Sequence, residues 1–110
     1  PVPLQVTKLA ASADSAIADL IPPASIKNLK NASYAQYYIK WTWTDPLDTD
    51  LSKVKIYLNG VFKADVTKGV QNYNATGLMS GRIYTISTKT VDIAGNVNRT
   101  WVNHTAKTTP

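Results

Sequence analysis

Leu78 to Asn96 reads LMSGRIYTISTKTVDIAGN, and its second half decides the fold. From Tyr84 onward, Tyr84, Ile86, Thr88 and Thr90 alternate with Thr85, Ser87 and Lys89. A period of two belongs to a strand with one buried and one wet face. Ile93-Ala94-Gly95-Asn96 then turns the chain. Working outward, Ile39-Lys40-Trp41-Thr42-Trp43 alternates in the same way and is closed by Thr44-Asp45-Pro46. The pattern predicts strands at Ser25–Leu29, Gln36–Thr44, Lys53–Leu58, Val61–Thr67, Gln71–Thr76, Arg82–Asp92 and Thr100–Lys107. Asn59-Gly60 is the dipeptide of a type I′ hairpin, so the third and fourth strands should pair antiparallel with little slack. The expected core is Ile39, Trp41, Trp43, Val54, Ile56, Leu58, Leu78, Tyr84 and Ile86, with the two inward tryptophans read as packing residues.

Composition agrees. The chain has 110 residues, enough for a single core. It has no Glu and few long helix formers, while Thr, Val, Ile, Tyr and Trp are plentiful, which favours strands over amphipathic helices. There is no cysteine, which excludes a disulfide framework, a thiolate nucleophile and a Cys-based zinc site. No apolar run reaches the roughly 18 to 20 residues that span a bilayer, and Pro1 opens no signal sequence, so any export signal or anchor is expected to be removed or elsewhere. The net charge of +5 is dispersed along strands, only two arginines are present and no nucleic-acid module is visible, so nucleic acid is not an expected partner.

Residues Pro22 to Pro110 resemble a fibronectin type III domain of the kind strung along prokaryotic surface proteins. The resemblance is carried by Ile21-Pro22-Pro23, by Ile39 to Pro46, by Asp50-Leu51-Ser52-Lys53-Val54-Lys55-Ile56-Tyr57-Leu58-Asn59-Gly60, and by Val91-Asp92-Ile93-Ala94-Gly95-Asn96. It implies an all-β, immunoglobulin-like, seven-stranded antiparallel β-sandwich over residues 21–110, preceded by an extra N-terminal arm of residues 1–20. The spacing of Leu78 to Tyr84 is similar to the tyrosine corner of such sandwiches, which makes Tyr84, like Trp43, a structural residue. Ser80 stands where the family usually has proline in this corner, and the Arg-Gly-Asp triplet of some animal members is missing.

Four N-x-[ST] sequons, at Asn31, Asn74, Asn98 and Asn103, occur among eight asparagines and mark candidate glycosylation sites of an exported chain. Used sequons must face solvent. With Asn103 outward, Trp101 and Thr105 share its face and Val102, His104 and Ala106 turn inward. The outer face of the sheet formed by the third, fourth, sixth and seventh strands is therefore the candidate ligand face, with Lys53, Lys55, Tyr57, Lys63, Lys89 and Trp101, a set suited to a sugar ring or an anionic polymer. Lysines on exposed strands also guard against edge-to-edge aggregation. Asp45, Asp48 and Asp50 carry the oxygen ligands calcium prefers, but form no EF-hand loop and equally suit Asx-turns around Pro46. Asp92 is expected to brace the turn after it.

His104 is the only histidine, and no Ser, Asp and His set assembles from separate elements, so no catalytic residue and no cofactor is expected. In the arm, Val2–Leu9 reads as a strand, and Ser12 with Ala13–Leu20 as a short capped helix or a linker. The arm is expected to rest on its own domain, to pair with a preceding domain, or to add to the sheet edge of an identical subunit. The function expected is a non-enzymatic extracellular structural or adhesion module of a prokaryotic, archaeal cell surface: a spacer or a self-assembling subunit of a layer or filament. A glycan-binding module using the outer face is the alternative, and a spacer stiffened by calcium at the aspartates a further reading.

Overall fold

Seven strands account for the alternating segments in a computed structural model that describes residues 19–110. They are β1 (Lys27–Tyr34), β2 (Ile39–Thr44), β3 (Leu51–Leu58), β4 (Val61–Thr67), β5 (Asn72–Ala75), β6 (Ile83–Asp92) and β7 (Val102–Lys107). All pairings are antiparallel, in a three-stranded sheet of order β1-β2-β5 and a four-stranded sheet of order β4-β3-β6-β7. Of the expected arm, only Asp19 and Leu20 are described, and they form neither strand nor helix; the expectations for Val2–Leu9 and Ala13–Ala18 lie outside the described residues.

The first strand departs from expectation. It runs to Tyr34 instead of stopping at Leu29, through register shifts between Lys27 and Lys30 and between Asn31 and Ser33. Asn28 takes a positive φ of 57°, a left-handed conformation that asparagine tolerates better than most residues. Ala35 to Tyr38 form the hairpin turn, closed by the Ala35 N–H donating to the Tyr38 carbonyl at 3.0 Å, so β2 starts at Ile39 and not at Gln36. Asn59 and Gly60 both have positive φ, 49° and 83°, as a type I′ turn requires.

Between the sheets lie Ile26, Ile39, Trp41, Trp43, Val54, Ile56, Leu58, Val66, Ala75 and Ile86, all buried. Leu78 and Tyr84, expected in the core, are half-buried and pack against its rim. Tyr84 is at the rim because its hydroxyl must reach the corner, where it accepts the Met79 N–H at 2.9 Å. Thr108 secures the same corner by donating to the Met79 carbonyl at 2.6 Å, and the corner forms with Ser80 in place of proline. Each buried tryptophan contributes about 4 to 6 kcal/mol of apolar burial. Their indole N–H groups are both satisfied, Trp41 by His104 Nδ1 at 3.2 Å and Trp43 by Asp45 Oδ1 at 3.0 Å.

Candidate functional site

The outer face of the four-stranded sheet follows from strand register. Tyr57 on β3 pairs with Ser87 on β6, which pairs with Asn103 on β7; in the next outward row Asp65 on β4 pairs with Lys55, and Lys55 with Lys89. Trp101 precedes β7 and closes this second row. Its ring stands edge-on to Tyr57, with centroids 5.0 Å apart and planes at 87°, and the Lys89 ammonium sits 3.9 Å from its centroid. Lys53, Lys55, Tyr57, Lys89 and Trp101 thus come together as the alternation placed them.

Lys63 does not join them. Lys63 is the extra residue of a bulge, between the Tyr57–Phe62 and Ile56–Ala64 pairs, and it lines a cleft with Leu58, Tyr73 and Leu78. Phe62 takes the outward place instead, 5.5 Å from Tyr57 and beneath the Lys55 ammonium at 5.0 Å. Strict alternation from Asn59-Gly60 puts Phe62 outward with Tyr57 and Lys63 inward opposite Ile56, and a lysine unsuited to that inner place is the signal of the bulge. Asp65 was also missed. It bridges Lys53 at 3.2 Å and Lys55 at 3.5 Å, a half-exposed pairing worth at most about 1 kcal/mol that lowers the like-charge cost of Lys55 facing Lys89.

The four sequons are not equivalent. Asn74 and Asn103 are exposed, on edge strands of different sheets, whereas Asn31 and Asn98 are half-buried. The Asn98 side chain donates to the Pro23 carbonyl at 2.9 Å and to Ser25 Oγ at 3.3 Å, and its oxygen accepts the Thr100 N–H at 2.9 Å. That side chain ties the β6–β7 connection to the segment entering β1.

The aspartates sort differently from expectation. Asp45 accepts from the Trp43 indole and from the Gly69 N–H at 2.8 Å, and Asp48 accepts the Ala24 N–H at 3.3 Å, so both hold loops. Only Asp50 of the three enters an acidic group, with Asp19 and Asp92, whose carboxylate oxygens lie within 4.8 Å of one another. Asn96 organises this group: its backbone N–H donates to Asp92 Oδ1 at 2.8 Å, and its side chain donates to Asp92 Oδ2 at 2.9 Å and to the Asp19 carbonyl at 2.8 Å. Asp92 braces its turn in this way. Desolvation, followed by the charges of Asp92 and Asp50, raises the pKa of Asp19. Burial pushes Asp92 upward too, but hydrogen bonds from the Asn96 side chain and backbone bring it below the ordinary carboxylate range.

No family model matches the chain, and no curated protein matches it in sequence. Solved structures do match in shape. One domain comparison decides the fold: the sixth fibronectin type III domain of human fibronectin type III domain containing protein 3 covers 80% of this chain and 87% of its own length at a TM-score of 0.63 and 15% identity. The fold is fibronectin type III-like. The central fibronectin-III array of RIM-binding protein is similar at a TM-score of 0.64 and 19% identity, over 81% of this chain and 36% of the array. The spore cortex lytic enzyme SleM of Clostridium perfringens is similar at 0.72 and 19% identity, over 83% of this chain and 30% of the enzyme. The fibronectin type III-like chain therefore spans about a third of the length of these two larger proteins.

Proposed function

We propose that this fibronectin type III-like domain is a non-catalytic extracellular building block whose two ends join copies into a surface layer or filament. The observation that carries this reading is the distribution of its exposed apolar side chains. One end of the sandwich holds the segment before β1, the β2–β3, β4–β5 and β6–β7 connections; the other holds the β1–β2, β3–β4 and β5–β6 connections and the residues after β7. The chain enters at the first end and leaves at the second.

Of twelve exposed large apolar residues, Leu20, Ile21, Leu47, Val70 and Ile93 lie at the first end and Tyr34, Tyr37, Val61, Met79 and Ile83 at or against the second; only Phe62 and Trp101 are on the outer sheet face. Charge divides as well. The first end carries Asp19, Asp45, Asp48, Asp50 and Asp92 against Lys27, Lys68 and Arg99, while Lys40, Arg82 and Lys107 flank the second end without an acidic side chain among the described residues. Two different, complementary ends make a heterologous contact, which propagates instead of closing. The polar groups that chemistry would use are meanwhile committed to the sandwich: His104 to Trp41, Asp45 to Trp43, Tyr84 to Met79, Asp92 to Asn96.

Sedimentation equilibrium of residues 1–110 tests this. Association should grow with concentration, weaken with salt and survive removal of residues 1–18. Loss of association on that removal assigns it to the arm, and a monomer at every concentration contradicts self-assembly. The aromatic and lysine face supports a second reading, retention of an external polysaccharide through Trp101 and Tyr57. Trp101→Ala should then abolish retention on a polysaccharide column, and a parent protein that is not retained contradicts it.

A further inference from the structure

The edge strand β7 of the outer face carries a sequon. Asn103 is exposed, and its row across the sheet continues through Ser87 to Tyr57. Trp101, two residues earlier and hence on the same face, is 45% exposed and leans edge-to-face on Tyr57. The small Ser87 stands between Asn103 and Tyr57 in this row, beside the touching Trp101–Tyr57 pair. A saturated ring attached at Asn103 lies over Ser87, with its C–H groups against the exposed part of the aromatic pair that Lys89 leaves uncovered.

The other sequons offer nothing of the kind. The amide of Asn98 is engaged on both its atoms. Asn31 is half-buried, and Asn74 has Asn72 where Asn103 has Trp101.

We infer that Asn103 is the preferred N-glycosylation site of the domain, and that the first sugar of its glycan packs on Trp101 and Tyr57. This rests on the outer face being a sugar surface, but makes its occupant the chain's own glycan. In the transfer, Asn103 Nδ2 forms a bond to the anomeric carbon of a lipid-linked oligosaccharide as the bond from that carbon to the carrier's phosphate oxygen breaks. The carrier phosphate leaves with the electron pair, the amide gives up one proton to the transferase, and nothing is oxidised or reduced.

The test uses the full chain secreted from a eukaryotic host that N-glycosylates, with occupancy read by glycopeptide mass spectrometry. Asn103 should be modified and Asn98 not. Trimming the glycan to its first sugar should leave the Tm in place, and preventing its addition with Asn103→Gln, which spares the Thr85–Thr105 hydroxyl pair, should lower it by about 2 to 5 °C. In a Trp101→Ala background the same loss of glycan should have little effect. An unmodified Asn103, or an equal Tm change with and without Trp101, overturns the inference.

A polysaccharide column run with bacterially produced, unglycosylated protein separates the two readings. Retention by that protein together with an unmodified Asn103 sinks this inference and leaves the external-ligand reading standing. Coupled glycosylation without retention does the reverse.

Discussion

Replacing His104 by phenylalanine should destabilise the domain through a residue that His104 only touches. Trp41 is fully buried, and its indole N–H has one partner, His104 Nδ1 at 3.2 Å. Phenylalanine keeps most of the ring volume on β7 and removes the acceptor, which leaves a buried donor unpaired at a cost of about 1 to 3 kcal/mol. At about 4 to 8 °C per kcal/mol for a domain of this size, a 2 kcal/mol loss lowers Tm by about 8 to 16 °C. Urea unfolding followed by the fluorescence of the remaining tryptophans gives the free energy directly. Making the same change in a Trp41→Phe background isolates the bond, because no indole donor is then left to orphan, and His104→Phe should cost at most about 0.5 kcal/mol there. Equal costs in the two backgrounds contradict a role for this bond: the histidine would then act by packing alone, or water would replace it.

Other positions make separate demands. Gly60→Ala meets no atom within 4 Å, so its cost arises from the φ of 83° alone, about 1 to 2 kcal/mol in urea unfolding. Tyr84→Phe removes the acceptor of the Met79 N–H and should cost about 1 kcal/mol with unchanged sheet content by circular dichroism. Asp19 has a raised pKa in the folded chain, so its ionised form weakens folding above that pKa, and the penalty disappears as pH falls through it. Asp19→Asn should therefore raise Tm at neutral pH and leave it unchanged below the ordinary carboxylate value of 3.8. Asp92 has the opposite sign: Asp92→Asn should lower Tm at neutral pH, with the difference fading as pH falls through its depressed pKa.

Much of this molecule was legible because its physics is local. Alternation from Tyr84 to Thr90 and from Ile39 to Trp43 names the inner faces of both sheets, since a one-residue slip would expose every one of those side chains. The type I′ hairpin follows from Asn59-Gly60, and the outward position of Trp101 from the parity of β7. Departures from parity were hidden. The bulge that takes Lys63 out of the inner place opposite Ile56, and the shifts that carry β1 to Tyr34, depend on how two strands settle against a third. The acidic group was hidden for another reason: Asp19, Asp50 and Asp92 are far apart in sequence and meet only because the segment before β1, the start of β3 and the end of β6 share one end of the sandwich. The apolar ends were likewise invisible in the sequence, where Leu47, Val70 and Ile93 read as scattered loop residues.

Mixing two variants, each with one end disabled, tests assembly through the ends most directly, by sedimentation velocity. Leu47→Ser/Ile93→Ser removes exposed apolar groups from the first end, and Met79→Ser/Ile83→Ser from the second. Each variant alone should be a folded monomer, and the mixture should form a one-to-one dimer that grows no further, because one live end of each kind remains. A mixture that stays monomeric while the parent chain associates, or a single variant that still polymerises, contradicts assembly through the ends.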